Sequence, residues 1–282
     1  MEQKITFGKK FRVFIKNNFR LLLAAIFLGF VIIFAIIGPI WLTDYYPTDL
    51  DFDNRNLDPS WDHPMGTDNS GRDLWSMVVY GSSVSLIVPV VVQVCATILG
   101  ASLGLVCGFF PKVDQVVMRI LEAFGAIPSM LLIFVLGSAM GEGYPSLITA
   151  MVLGTFGGIC KMIRMQTLSI RQKEFVEREV AMGASTARIM FMHVLPQCSS
   201  WLFLNFFGGV AGRMLNLSAM SFLGYGLPYG AYDWGSVASG GFGAILTKPY
   251  VCVPPMILIA FTTYGLSMLG DGLRDYFDPK LK

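Results

Sequence analysis

Charge is scarce in this chain. Asp, Glu, Lys and Arg make up 14% of its 282 residues, against roughly 25% in soluble domains, and mean hydropathy is +0.59. That is the balance of a polytopic membrane protein. Histidine is scarcer still. The two, His63 and His193, fall on opposite sides of the membrane in the topology argued below and cannot share a metal site. The five cysteines (Cys95, Cys107, Cys160, Cys198 and Cys252) include no Cys-x-x-Cys. An odd number in apolar settings argues against disulfides or zinc and leaves them as packing residues. No Gly-x-x-x-x-Gly-Lys-Ser/Thr is present, so the chain has no P-loop for ATP. Without Gly-x-Ser-x-Gly or His-Glu-x-x-His, a membrane hydrolase would have neither nucleophile nor metal. The basic residues form no aromatic-interleaved patch, which argues against nucleic acid.

What is abundant is apolar. Residues 21–42 carry no charged side chain, and at ~1.5 Å per residue they cross a ~30 Å hydrocarbon core. The basic leader before them (Lys4, Lys9, Lys10, Arg12, Lys16, Arg20) resembles that of a signal peptide. The run is too long for one and lacks a small-x-small cleavage site, so it reads as an uncleaved transmembrane helix. Further apolar stretches at about 82–110, 119–140, 145–165, 198–222 and 250–273 predict six transmembrane helices in an all-α fold. Of the Lys and Arg, all but Arg55, Arg72, Lys248 and Arg213 fall in segments on one side. The positive-inside rule then puts both termini in the cytoplasm and the Asp-rich segment 43–80 outside. The division predicted is 1–80, with the N-terminus, first helix and extracytoplasmic segment, and 81–282, a transmembrane domain with a cytoplasmic insert at about 166–196.

Within the spans, Gly100, Gly104 and Gly108 recur every fourth residue, as do Gly154/Gly158 and Gly208/Gly212. Small residues there let helices approach closely in lipid. Packing within the bundle is favoured over a subunit contact. Arg213 lies about midway through the fifth span, where an arginine costs ~2.5–3.5 kcal/mol. It must face the interior, either lining a translocation cavity and meeting a carboxylate or forming a structural ion pair with a partner. Glu122 is placed to pair with Arg119. The Gly-rich, aromatic segment 223–249 reads as an interfacial belt, a docking surface or a lid.

The insert is too polar to span. Ser169 and Gln172 have the spacing of a capping box. Phe175, Val176, Val180 and Ala181, among Lys173, Glu174, Glu177 and Arg178, predict a short amphipathic helix. Gly183 suits its stop and Ser185 the cap of a second helix, with Pro196 as its end. A lone helix pair buries little, and the segment is near neutral, so it fits a protein partner better than a lipid surface.

Here the sequence resembles a known family. Glu177, Gly183, Ile189 and Leu195-Pro196 match the Glu-Ala-Ala…Gly…Ile-x-Leu-Pro pattern of bacterial ABC-importer permeases. Glu174-Phe-Val-Glu177 and Met182-Gly-Ala-Ser185 resemble its dipeptide, oligopeptide and nickel version. His63-Pro-Met-Gly-Thr-Asp-Asn-Ser-Gly-Arg-Asp73 with Tyr80-Gly81, Ser221-Phe-Leu-Gly224 with Trp234-Gly235, and Leu269-Gly-Asp-Gly-Leu-Arg-Asp275 with Asp278-Pro279 resemble its second, C-type permease. The resemblance implies a type I ABC importer transmembrane domain in a prokaryotic plasma membrane. It would import peptides or a related small solute together with a homologous second permease, two ATP-binding-cassette ATPases and an extracytoplasmic solute-binding protein. ATP and Mg would be held on the partner subunits, with no cofactor or catalytic residue in this chain. It further implies an ATPase-coupling segment comprising Phe175, Glu177, Arg178, Glu179, Ala181, Met182, Gly183, Ala184, Ser185 and Arg188. Two departures stand out: Arg178-Glu179 replaces the two alanines, and Leu217 stands where the family commonly has Glu. The alternative class, a self-contained ion-coupled secondary transporter, would need midplane acids and an internal repeat, and neither is evident.

Overall fold

The computed structural model describes residues 19–277. The basic residues Lys4, Lys9, Lys10, Arg12 and Lys16, and the 278–282 tail with Asp278-Pro279, lie outside the described residues. The described residues are helical, with one isolated bridge, Thr67 to Asp73, and no strand.

Helix α1 (Phe19–Trp41) carries the first apolar run. Helix α2 (Leu74–Phe109) starts earlier than the hydropathy suggested. Asp73 caps it, its carboxylate accepting from the Ser76 N–H at 2.7 Å and the Ser76 hydroxyl at 2.5 Å. The expected 119–140 span is two helices, α3 (Pro111–Gly125) and α4 (Ser129–Met140), meeting at 97°. Pro128 disfavours helix at the residue before it, breaking the chain after Gly125. At ~18 Å, α4 is too short to cross a bilayer alone. Helix α5 (Tyr144–Arg171) runs beyond its predicted end.

Next come α6 (Glu174–Ala181) and α7 (Thr186–Arg188), then a π-helical stretch, Ile189–Val194, leading without a break into α8 (Leu195–Phe222). Helices α9 (Trp234–Phe242) and α10 (Pro249–Phe277) complete the described chain. Helices α1, α2, α5 and α10 are long and apolar enough to span, and the bent α3–α4 pair is together apolar enough for a broken span or a re-entrant loop. Helix α8 has 28 residues, the length of a span. Its Asn205, Arg213 and Asn216 lower its hydropathy, and it packs in the bundle against α2 and α10.

The α2–α5 seam is the tightest contact. A Cβ at Gly100 would lie 2.8 Å from the Phe156 carbonyl, at Gly104 2.5 Å from that of Cys160, and at Gly108 2.3 Å from the Thr167 methyl. The glycine stripe is therefore internal packing. Gly158, Gly208 and Gly212 face open space. Arg119 and Glu122 form no ion pair among the described residues; it is Asp114 of α3 that binds, bidentately, Arg164 of α5.

At the end holding Asp73, the 42–73 segment is tied to the chain that follows α8. Arg72 donates to the Tyr232 hydroxyl at 2.7 Å, and Lys248 Nζ to the Asn56 carbonyl at 2.9 Å. Tyr250 donates to Asp58 at 2.6 Å. Those partners hold the Asp58 carboxyl below its ordinary value, first through Tyr250 and then Lys248. Glycine at 71 is obligatory: its φ is +77°, and a Cβ would lie 1.6 Å from the Asp51 carbonyl. The expected aromatic belt of 223–249 is largely internal. Trp234 is fully buried and donates to the Val78 carbonyl at 3.0 Å, while Tyr225 packs on Phe134. Of Tyr225, Tyr229, Tyr232 and Trp234, Tyr229 alone stands fully exposed.

Candidate functional site

The insert begins where α5 ends. Ser169 lies inside α5 rather than at a helix start, and Gln172 is that helix's C-cap, so the expected capping box is absent. An apolar Ile170, buried against the core, keeps α5 going through Arg171. Arg171 then donates to the Phe109 carbonyl at 3.2 Å, fixing the end of α2 beside it. Helix α6 starts after Lys173, whose ammonium reaches Gln197 at 3.2 Å. Glu174 and Glu177 sit in its first turn, where the helix dipole favours acids.

Gly183 ends α6 as expected. At φ +80° its N–H donates to the Val180 carbonyl and the Ala184 N–H to that of Glu179, both at 3.0 Å. This is the paired bonding of a Schellman stop. Ser185 caps the following turn, accepting from the Arg188 N–H at 3.3 Å. Pro196 does not end that helix. It sits in the first turn of α8, directly after the π-helical stretch. The wider turns there relieve the clash of a proline ring with the carbonyl four residues back.

The insert has two faces. Val176, Ile189, Met190 and Val194 are buried in the bundle core, with Phe175 and Ala184 packed against it. Glu177, Arg178, Ala181, Met182, Gly183, Ser185 and Arg188 are exposed. The predicted apolar stripe thus divides, since Phe175 and Val176 point inward while Val180 and Met182 point out. Glu179 is half-buried, 3.7 Å from His193. Phe191 and Met192, exposed on the π-helical stretch, extend the apolar part of this surface. They escaped the sequence reading because a helix of ordinary pitch gives no reason to single them out.

Arg213 sits on the wall of a separate cavity of about 280 Å³ between α2, α5 and α8, with Gln93, Thr97, Thr155, Trp201 and Asn205. It makes no ion pair among the described residues, and its buried Nε has no hydrogen-bond partner there. Gln93 was missed as a lone amide in an apolar run. Leu217, in place of the family's Glu, is fully buried in the core.

Residues 96–282 match the family described as binding-protein-dependent transport system inner membrane component. The chain belongs to that family. It is similar over nearly its whole length to named relatives. One is the dipeptide transport system permease protein DppC of Bacillus subtilis (32% identical, covering 95% of this chain and 84% of that one). Another is the oligopeptide transport system permease protein OppC of Bacillus subtilis (30%, 95% and 88%). A third is the glutathione transport system permease protein GsiD of Escherichia coli O6:K15:H31 (31%, 92% and 86%). Its fold resembles a chain of the MetNI methionine ABC transporter solved in inward-facing conformations. The TM-score is 0.59 at 18% identity, covering 70% of this chain and 94% of that one. The chain is therefore a multi-pass membrane permease, the transmembrane subunit of a binding-protein-dependent transport system that works with partner subunits. The His63–Asp73 segment of the permease is a structured strap. Asp68 accepts from the N–H groups of Ser70 and Arg72, and His63 Nδ1 lies 2.9 Å from Asp73.

Proposed function

We propose that this chain is the C-type permease of an ATP-driven importer of peptides or a closely related small solute. It would pair with a homologous second permease, two ATP-binding-cassette subunits that hold ATP and Mg, and an extracytoplasmic solute-binding protein. Its place is the prokaryotic plasma membrane, with both termini cytoplasmic. The 81–282 domain carries the coupling loop, and 1–80 the first helix and an outer segment.

The observation that supports this best is the divided insert: anchored inward on Val176, Ile189 and Val194, it presents Glu177, Met182 and Arg188 outward. A surface of this kind passes motion from a docked ATPase to α5 and α8, because the two ends of the insert run directly into those helices. ATP-driven closure of the ATPases then alternates the exposure of a cavity shared by the two permeases. The Arg213 pocket would open onto that cavity. The peptide class is favoured because the relatives named above are peptide and glutathione permeases.

Purification of the complex in mild detergent tests the reading. A double variant, Glu177→Lys with Gly183→Pro, is expected to lose the ATPases and keep the second permease. Transport by the lone chain in proteoliposomes without ATP would overturn it.

A further inference from the structure

Helices α2, α5 and α8 meet around Gln93, Thr155 and Arg213, each in the middle third of its helix. Two polar atoms of that cavity are buried without partners, Arg213 Nε and Gln93 Oε1. Gln93 is 5% exposed, and its amide nitrogen is engaged by Thr97 Oγ1 at 3.2 Å. Its oxygen is therefore a free acceptor in the same cavity as a guanidinium that has no counter-ion among the described residues. Leaving such groups unpaired in an interior is costly, the more so for a charge. An arrangement of this kind marks a place for a ligand that supplies what is missing.

We infer that this cavity binds the carboxyl end of the transported solute. A carboxylate accepts from Arg213, and the amide N–H that precedes it donates to Gln93 Oε1. That pairing of an acceptor anion with an adjacent N–H is the chemistry of a peptide C-terminus. At about 280 Å³ the cavity is below the ~300–1,000 Å³ of sites that enclose a whole small ligand, so it takes the end of the solute and leaves the remainder in the shared cavity. Asn205 gives one amide hydrogen to the Trp201 carbonyl at 2.9 Å and has its second at hand for the other carboxylate oxygen, whereas the Thr155 hydroxyl is engaged by the Met151 carbonyl at 2.6 Å. The inference rests on the importer reading above and adds to it which part of the solute the permease reads.

The test uses the purified complex of permeases and ATPases without solute-binding protein, with trialanine and its C-terminal amide as probes. Calorimetric titration is expected to show the wild type binding the acid at least tenfold more tightly than the amide. Arg213→Met should erase that preference, Gln93→Leu weaken both probes, and Arg213→Lys keep part of the preference. Absence of acid binding by the wild type, or an unchanged preference in Arg213→Met, overturns the inference. So does loss of the second permease from the Arg213→Met complex, since the arginine would then be answering a partner's carboxylate. ATP-driven trialanine uptake by the wild type, with binding protein present, is measured in parallel. Its absence counts against the importer reading, whereas uptake without a carboxylate preference at Arg213 counts against this inference alone.

Discussion

Glu179 faces His193 across the turn between α6 and the π-helical stretch, with Oε2 3.7 Å from Nε2. Its neighbour Arg178 points the other way and meets only Glu174, at 3.2 Å, with both side chains largely exposed. The two long residues that stand in place of the Ala-Ala of the family pattern are therefore not equivalent. Glu179 is folded back onto the chain, and of the two only Arg178 stands out into solvent. Arg178→Glu is expected to weaken ATPase capture by the complex more than Glu179→Ala does. Because the Glu179–His193 pair is about a quarter exposed, its coupling should be only about 0.2–1 kcal/mol, read from a double-mutant cycle on thermal stability. A Glu179→Ala loss equal to that of Arg178→Glu would refute the distinction.

Gly183 is required by conformation and not by space. Its φ is +80°, yet a Cβ would meet nothing within 4 Å. Gly183→Ala should therefore cost about 1–2 kcal/mol of local strain with no clash, and Asn, which tolerates this region, should cost less. Proline is different in kind, because it cannot take a positive φ and removes the N–H bonded to Val180. Solute-stimulated ATPase activity should rank Gly183 above Asn, Asn above Ala, and Ala far above Pro. An alanine variant as inactive as the proline one would mean that the partner needs the bare glycine.

Much of this was legible from residues alone, for physical reasons. Hydropathy marks spans because lipid-facing positions must be apolar, and Gly183 and Ser185 announce the turn because their backbone chemistry is local. The failures share a cause. Ser169 has the spacing of a cap, but Ile170 finds a core contact that prolongs α5. Pro196 has the look of a stop, but the π-helical turns before it make room for its ring. The bend at Pro128 was hidden inside an apolar run. The cavity of Arg213 and Gln93 could not be read at all, since α2 and α8 meet only in the fold.

The α2–α5 seam sets up a sharp contrast between glycines of similar sequence appearance. Gly104→Ala drives a methyl to 2.5 Å from the Cys160 carbonyl, a backbone atom that cannot swing away, whereas Gly158→Ala meets nothing within 4 Å. Separating α2 from α5 loses packing that nothing else in lipid replaces. The Gly104 variant is expected to lose about 1–3 kcal/mol, the usual cost of overpacking, seen as a lower melting temperature of the detergent-purified complex. Gly158→Ala should melt no lower than wild type, since alanine is the better helix former. Equal melting of both would show that the seam yields.

Asp233 provides the test by pH. It caps α9, accepting from the Ser236 N–H at 2.8 Å and the Ser221 hydroxyl at 2.6 Å, and it is fully buried. Burial raises its pKa from the ordinary 3.8, and the Ser221 and Ser236 hydrogen bonds only partly offset this. With the folded value above the unfolded one, its contribution is fully present below about pH 3.8 and is lost as pH rises through the raised value. Above that window the carboxyl is a net burden on the fold. Asp233→Asn removes the charge, still accepts from the Ser236 N–H, and can donate to Ser221. It should therefore melt no lower than wild type at pH 7 and show a flatter profile from pH 4 to 7. Asp233→Ala instead leaves the Ser236 N–H of α9 unpaired, although Ser221 keeps the Leu217 carbonyl at 2.9 Å, and should lose about 1–3 kcal/mol at every pH. If Asn is as damaging as Ala at pH 7, the carboxylate charge is itself needed, and the partner it answers must lie beyond Ser221 and Ser236.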